Sequence, residues 1–205
     1  MSARQAETPA IVLVNAAIAR GNRLVLRDFS LEMQSGEIIW VRGANGSGKS
    51  TLFRALAGLL PIASGQLQLT GAVALTDDNN ALDPEQSIED NLHFWAKLDG
   101  VSAHAIEKAL EALDLVALAE LPVRFLSAGQ KRRVSLARMI ASGAPIWLLD
   151  EPYNGLDQAN VARLDEALHR HTKSGGIALI ASHIAPTVNV ARSVMLDQPR
   201  QKAEA

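Results

Sequence analysis

Short apolar runs and amphipathic stretches follow one another along most of the chain, and their spacing separates strands from helices. Apolar runs of about four to eight residues favour strands, whereas apolar residues three or four positions apart favour helices. The runs that predict strands are IVLVNAAIA, RLVLRDFSLEM, EIIWV, two within GQLQLTGAVAL, PIWLLDEP, GIALIAS and SVMLD. The stretches that predict helices are LFRALAGLL, SIEDNLHFWAKL, most of SAHAIEKALEALDLVALAE, residues 129–142 and residues 157–171.

The predicted helices are unevenly distributed, because residues 76–125 contain helical patterns and no predicted strand. Ser87 and Asp90 have capping-box spacing at the start of the first of these helices. We therefore expect one domain over residues 1–205, with a core at about 11–75 and 126–197 and a helical subdomain at about 76–125. Strands alternate with helices in the core, which is typical of a parallel α/β sheet. Both polar termini are predicted to be flexible.

Composition and charge exclude several classes of function. The 205 residues are 48 % hydrophobic and carry a net charge of −2, which argues against a protein held on nucleic acid by bulk electrostatics. The chain has no cysteine, which excludes disulfides, thiolate catalysis and cysteine-ligated metals. The amino end lacks the apolar stretch of a secretory signal, and no apolar run approaches the ~18 residues of a membrane span. We therefore expect any membrane contact to go through a partner.

The segment GANGSGKS at residues 43–50 fits the pattern Gly-x-x-x-x-Gly-Lys-Ser, between a predicted strand and a predicted helix. Its glycines let backbone N–H groups point at phosphate oxygens, and the helix N-terminus adds a favourable dipole. Lys49 can reach the β- and γ-phosphates, the Ser50 hydroxyl can bind Mg²⁺, and Thr51 can contact the α-phosphate. The predicted nucleotide-binding residues here are Gly43, Ala44, Asn45, Gly46, Ser47, Gly48, Lys49, Ser50 and Thr51.

Two acids end the strand predicted in PIWLLDEP, at the sheet edge where open α/β proteins bind ligands. Asp150 can hold Mg²⁺ and Glu151 can orient and polarise an attacking water, which are needs of phosphoryl transfer. The alternative is an acidic turn at a strand end. His183 follows the next predicted strand and would lie at the same edge, although a lone histidine there is often structural. We interpret His93, His104, His169 and His171 as surface or packing residues.

The turn LSAGQ, which includes residues 127–130, opens a predicted helix and is therefore a place that can hold an anion. Lys131, Arg132 and Arg133 follow it. These cations either add positive field to that anion site or form a solvated helix face, and the sequence leaves both interpretations open.

Five segments in a fixed order, GANGSGKS, LSAGQ, LLDE, NGLD and SH, make the chain similar to the ABC-transporter ATPase family over about residues 11–197. The resemblance implies an α/β P-loop NTPase fold, with a RecA-like parallel core sheet, an antiparallel β subdomain and an inserted helical subdomain. It implies hydrolysis of ATP with Mg²⁺ as cofactor. It also implies a second copy of the chain as partner, with ATP bound between the two copies arranged head to tail.

The resemblance assigns roles to the segments. GANGSGKS corresponds to the Walker A loop, LLDE to Walker B with Glu151 as the catalytic glutamate, and SH to the loop of a catalytic histidine, His183. Ser50 and Asp150 are the implied Mg²⁺ ligands, and NGLD is the D-loop, in which Asp157 also has the position of a helix N-cap. The signature residues that would contact the nucleotide of the second copy are Ser127, Ala128, Gly129 and Gln130.

Two positions depart from the family pattern. Asp78 stands where a glutamine ordinarily contacts Mg²⁺ and the membrane partner, and it is only a weak candidate metal ligand because its carboxylate repels phosphate. Arg20 stands where an aromatic ring ordinarily stacks on adenine. A guanidinium can also stack on a base, so we retain Arg20 as a nucleotide-binding residue with looser base selectivity.

Within the family, Ala128 and the flanking LPVRF resemble the haem-exporter ATPases of cytochrome c maturation. That likeness implies haem export or release of a haem-loaded chaperone, CcmB-type and CcmC-type integral membrane partners, and a location on the cytoplasmic face of the inner membrane. It implies no direct haem ligation and no nucleic-acid partner. The alternatives are another short exporter with a different cargo and a soluble, non-transport ABC ATPase.

Overall fold

The structure is a computed structural model that describes residues 8–77 and 81–196. Its strands are β1 (Ala10–Arg20), β2 (Arg23–Met33), β3 (Ile38–Arg42), β4 (Ile62–Thr70), β5 (Val73–Thr76), β6 (Ile146–Asp150), β7 (Ile177–Ala181) and β8 (Arg192–Met195). Its α-helices are α1 (Lys49–Leu56), α2 (Ile88–Asp99), α3 (Ala103–Ala112), α4 (Ala128–Ala141) and α5 (Gln158–Lys173). The amino-terminal segment and the tail that the sequence predicts to be flexible fall largely outside the described residues.

Two sheets form the β part of the molecule. Strands β2, β1 and β4 make an antiparallel sheet in that order, and β5, β6, β7, β3 and β8 make a parallel one. The predicted α/β class and parallel core sheet are confirmed. Because every strand of the parallel sheet points the same way, the segments that leave β3, β6 and β7 emerge at one edge.

Strand β2 departs from a simple alternation of buried and exposed residues. Its pairing with β1 shifts register near Asn15 and Asp28, which both have positive φ, at 47° and 51°. The Asn15 N–H donates to the Ser30 hydroxyl at 2.9 Å, which fixes this irregularity. Consequently Leu26 and Leu31 are both buried although they are five positions apart.

The apolar core divides between the two faces of the parallel sheet. On one face, α1 and the antiparallel sheet pack over residues such as Ile39 and Leu148. On the other face, α4, α5 and the helices α2 and α3 share a single cluster with Trp147 and Leu149. Residues 81–125 therefore pack directly on the core of the sheet and have no separate core of their own among the described residues.

The helices α2 and α3 both follow a serine, Ser87 and Ser102, of which Ser87 caps its helix through its side chain. The Ser87 hydroxyl accepts a hydrogen bond from the Asp90 N–H at 3.0 Å, as the capping-box spacing predicts. Gly100 ends α2 in a left-handed conformation, with φ of 69°.

Over the described residues, no helix combines the length and the apolar character that crossing a membrane requires.

The predicted packing role of one histidine is evident at the carboxyl end of α5. The His171 ring stacks on Trp147, with ring centroids 3.7 Å apart and planes at 10°, and its Nε2 lies 3.2 Å from the Ile177 carbonyl oxygen. Burial lowers the pKa of His171, and contacts with the Ile177 and Pro145 carbonyls oppose this without reversing it. His93, His104 and His169 are exposed.

We expect His171 to make the free energy of unfolding depend on pH. The unfolded chain takes up a proton near the ordinary histidine pKa of about 6.5, whereas the folded chain resists it. The contribution of His171 to the free energy of unfolding is therefore complete above about pH 6.5. It decreases as the pH falls from there towards the lowered pKa of the folded chain, by at most about 1.4 kcal/mol per pH unit. Urea unfolding should show that the free energy of unfolding decreases less between pH 7.5 and pH 5.5 in His171→Gln than in the wild type. His169→Gln, on the exposed side of α5, is the control, and equal losses in wild type and His171→Gln would contradict the assignment.

Candidate functional site

A cavity of about 420 Å³ opens at the edge of the parallel sheet where β6 and β7 end. The loop before α1 forms its floor, and the β1–β2 hairpin forms one wall. Predicted site residues from three separate parts of the sequence line it, among them Lys49, Asp150, Glu151 and His183. Arg20 lines it as well, at the end of β1. The structure thus brings these predicted site residues together at one cavity.

Glycine is required by the curl of the loop at residues 43–50. Gly43, Gly46 and Gly48 have φ of 155°, 77° and 106°. A Cβ at Gly48 would lie 2.7 Å from the Val25 side chain, and one at Gly43 would lie 2.9 Å from the Leu196 carbonyl oxygen. A larger residue at either position would therefore open the loop or push it into the cavity.

Lys49 begins α1 and is buried at the base of the cavity, at 7 % exposure. Its ammonium donates to the carbonyl oxygens of Gly43 at 3.0 Å and Ala44 at 3.4 Å. The Ser47 hydroxyl beside it is also buried and makes no hydrogen bond to the residues that the structure describes. A buried cation and a buried hydroxyl next to N-terminal amides of a helix suit an anionic ligand.

Glu151 has an unusual backbone conformation for a glutamate, with φ of 47°. A left-handed conformation costs a non-glycine residue about 1–3 kcal/mol, so the surrounding structure must hold it. The Glu151 N–H donates to the Ala181 carbonyl at 2.7 Å, and the Asn154 N–H donates to the Glu151 carbonyl at 3.2 Å. The turn directs the Glu151 carboxylate into the cavity instead of along the strand.

The Glu151 carboxylate lies between two basic side chains. Its Oε1 is 4.0 Å from the Lys49 Nζ and 3.2 Å from the His183 Nε2. The His183 N–H donates to the other carboxylate oxygen, Oε2, at 3.3 Å. In this geometry the Glu151 carboxylate can accept a proton, and the Lys49 and His183 side chains can stabilise negative charge nearby.

Asp165, which belongs to none of the sequence motifs, joins the segments that follow Glu151 and His183. Asp165 on α5 accepts hydrogen bonds from the Tyr153 hydroxyl at 3.0 Å and from the Thr187 hydroxyl. Asp165 is the coulombic and hydrogen-bonding partner of Tyr153, and it adds to the burial that raises the pKa of that phenol. No sequence motif indicates this link, because the three residues are far apart along the chain and each is of a common type.

The turn at residues 127–130 forms a complete capping box at the start of α4. The Ser127 hydroxyl accepts from the Gln130 N–H at 3.2 Å, and the Gln130 side-chain oxygen accepts from the Ser127 N–H at 2.8 Å. Ser127 and Ala128 are exposed, and none of these four residues is among the described residues that line the 420 Å³ cavity. Within one copy of the chain, this turn is thus separate from the cavity at the loop of residues 43–50.

The signature turn packs against the predicted D-loop of the same chain. A Cβ on Gly129 would lie 2.5 Å from the Gly155 carbonyl oxygen, which only glycine permits. Gly155 has φ of 75°. Asp157 caps α5 by accepting from the Asn160 N–H at 2.8 Å, as the sequence predicts for a helix N-cap. Asp78 lies outside the described residues.

The basic residues after the turn do not form one surface. Arg132 is buried, with 6 % exposure, and donates to backbone carbonyls, so the interpretation as a solvated face is wrong for this residue. Arg133 donates to the Leu113 and Asp114 carbonyls, both at 2.9 Å, which ties α4 to the segment after α3. Both guanidiniums are thus engaged within their own chain.

The chain is similar to known proteins over most of its length. The family described as "ABC transporter" matches residues 26–154. A curated protein named "Cytochrome c biogenesis ATP-binding export protein CcmA" from Sphingopyxis alaskensis is 49 % identical over 178 residues, covering 87 % of this chain and 92 % of its own. A protein of the same name from Rhodospirillum rubrum is 38 % identical over 204 residues, covering 93 % and 88 %.

Solved structures agree on the fold. The chain matches a "Structure of ATP binding subunit of ABC transporter" with a TM-score of 0.79 at 23 % identity, over 85 % of this chain and 79 % of that one. It also matches the structure of a bacterial Atm1-family ABC exporter that has ATP bound. That match has a TM-score of 0.81 at 20 % identity and covers 93 % of this chain and 37 % of the exporter.

Proposed function

We propose that this chain drives the haem exporter of cytochrome c maturation, because it belongs to the ABC transporter family and, within it, to the cytochrome c biogenesis ATP-binding export proteins named CcmA. As a member of that family, it is an ATP-hydrolysing subunit of an ABC exporter. The observation that carries this proposal is the 49 % identity to the Sphingopyxis alaskensis protein over 87 % of the chain. The proposed outcome of hydrolysis is haem export or release of a haem-loaded chaperone.

The proposed partners follow from the same family membership. ABC ATPase subunits act in pairs with membrane subunits, and for this chain we assign a second copy of itself and CcmB-type and CcmC-type membrane proteins. That assignment places the chain on the cytoplasmic face of the inner membrane. We assign no haem ligand to this chain, so the cargo would be handled by the membrane subunits.

In the proposed mechanism, the amides of residues 43–50 and the Lys49 ammonium bind the phosphates of ATP. Lys49 would exchange its contacts with the Gly43 and Ala44 carbonyls for phosphate oxygens. Glu151 would accept a proton from the attacking water, and His183 would hold the Glu151 carboxylate and face the developing charge. Arg20, at the wall of the cavity, would stack on the base.

The residues present fit a magnesium ion. Ser50 and Asp150 line the same cavity, and Mg²⁺ prefers oxygen ligands and usually takes only one or two from the protein. We propose these two residues as the protein ligands of the ion. When bound, the ion neutralises charge on the phosphates.

We further propose that Ser127 and the Gly129 N–H contact the nucleotide of a second copy. The separation of this turn from the cavity of its own chain supports an action in trans, and its exposed position leaves the contact accessible. Each ATP would then be held by the loop at residues 43–50 of one copy and the signature turn of the other.

Complementation tests the proposed export role. In a bacterium whose own CcmA gene is deleted, expression of this chain should restore haem staining of c-type cytochromes, and the chain should co-purify with tagged CcmB-type protein from membranes. Ser50→Ala expressed at the same level is the control that should restore neither staining nor growth dependent on these cytochromes. Co-purification with an unrelated membrane exporter and no restoration of staining would assign a different cargo.

A further inference from the structure

Arg132 occupies a site that is built around its guanidinium group. The side chain is 6 % exposed and reaches from α4 to three backbone carbonyls of other segments. Its Nη1 donates to Asp77 at 2.8 Å, its Nη2 to Asp150 at 2.5 Å and its Nε to Pro152 at 3.5 Å. A buried cation is costly unless its donors are satisfied, so the three carbonyls fix both its position and theirs.

The carbonyls that Arg132 contacts lie on either side of Glu151. Asp150 is the last residue of β6, and Pro152 directly follows Glu151. The strained left-handed conformation of Glu151, with φ of 47°, thus occurs inside a backbone segment clamped by one guanidinium. The third carbonyl, of Asp77, comes directly after β5, where the chain leaves the parallel sheet for the helical residues.

Helix α4 carries both Arg132 and the signature turn. Ser127 caps the helix, Gly129 lies in its first turn, and Arg132 lies within the same rigid helix. A displacement of the turn therefore moves the guanidinium, and through it the backbone on either side of Glu151.

From this geometry we propose that Arg132 is a positioning residue that makes the placement of the Glu151 carboxylate depend on the position of the signature turn. The inference rests on the proposed contact of that turn with the nucleotide of a second copy. When the signature turn of one copy binds the nucleotide held by the other copy, the Glu151 carboxylate of the copy that supplies the turn would be aligned. Arg132 itself need not touch the nucleotide, since its donors are directed at carbonyls of its own chain.

Arg132→Lys tests the proposal, because lysine keeps the charge but cannot donate to three separate carbonyls at once. We expect the purified full-length chain to lose about tenfold or more in kcat for ATP hydrolysis, since misplacing a reacting group by about 1 Å can cost about 10²-fold. The Kd for ATP of the isolated monomer should stay within about twofold. In the Glu151→Gln background, Arg132→Lys should still dimerise on addition of ATP, because the capping box keeps the turn intact.

Arg163→Met is the matched control. It removes a guanidinium of α5 that pairs at 3.1 Å with Asp114, in the segment after α3, and leaves the three carbonyls untouched. Its kcat should remain within twofold of the wild type. Wild-type kcat in Arg132→Lys and Arg132→Gln would overturn the proposal, as would a loss of kcat matched by equal losses of ATP affinity and thermal stability. The assay uses ATP alone, so its result is independent of the cargo and of the export role.

Discussion

Glu151→Gln should abolish turnover while leaving ATP binding intact. The glutamine side chain has nearly the same shape, and the backbone N–H of residue 151 keeps its hydrogen bond to the Ala181 carbonyl, but the side-chain amide cannot accept a proton from water. Loss of a general base typically costs about 10²–10⁴-fold, so phosphate release should fall by at least about 100-fold. The unhydrolysed ATP should hold two copies together, which size-exclusion chromatography with ATP would record as a dimer.

The structure also indicates why this variant should bind ATP at least as well as the wild type. The Glu151 carboxylate lies 4.0 Å from the Lys49 ammonium and adds negative charge beside the proposed phosphate site. Glutamine removes that charge. Glu166→Gln, on the exposed side of α5, is the control and should hydrolyse ATP normally. Normal hydrolysis by Glu151→Gln would remove Glu151 from the role of base.

Gly129→Asp should stop turnover for two separable reasons. Any Cβ at this position would lie 2.5 Å from the Gly155 carbonyl oxygen, so even Gly129→Ala should displace the signature turn from the predicted D-loop. Aspartate adds a negative charge where we place the phosphate of a second copy. Since loss of one anion-stabilising donor costs about 10²–10³-fold in turnover, we expect roughly 10²-fold or more for Gly129→Asp and a smaller loss for Gly129→Ala.

Binding measurements on isolated monomers show where the defect lies. A monomer of Gly129→Asp should bind ATP as the wild type does, because this glycine is not among the described residues lining the cavity of its own chain. Gly143→Asp is the control for backbone strain alone, since Gly143 has φ of 64° and a Cβ there meets nothing within 4 Å. Equal loss of ATP binding and of turnover in Gly129→Asp monomers would contradict a contact in trans.

The sequence predicts the elements better than their assembly. Each strand and helix follows from local spacing of apolar residues, and the loop at residues 43–50 follows from its glycines. The strand order does not, because β3 pairs with β7 and β8, and no local pattern encodes partners so distant in sequence. The spacing of apolar residues does not predict the register shifts at Asn15 and Asp28 either, although both residue types are depleted in strands and adopt positive φ more readily than other non-glycine residues.

Some residues of the candidate site can be predicted from the sequence, and others are evident only from the fold. Lys49 and Glu151 belong to motifs in which residue type and spacing follow from the chemistry, so the sequence identifies them. Arg132 and Asp165 act through contacts with segments far away along the chain, to which their own neighbours give no clue. In a sequence, a buried arginine between two other basic residues resembles a charged surface, and only the fold shows that it is enclosed.

The position of β3 between β7 and β8 has a consequence for synthesis on the ribosome. The strand that leads into the loop at residues 43–50 is made early, yet both of its neighbours in the sheet, Ile177–Ala181 and Arg192–Met195, are made after every other described strand and helix. Until then, its apolar residues and unpaired backbone are open to wrong partners. The emerging chain can therefore acquire the helical segment and α4 before it acquires a finished nucleotide site. A nascent chain stopped before residue 177 should depend on chaperones that shield exposed strands, and ATP can stabilise the protein only after β7 and β8 are in place.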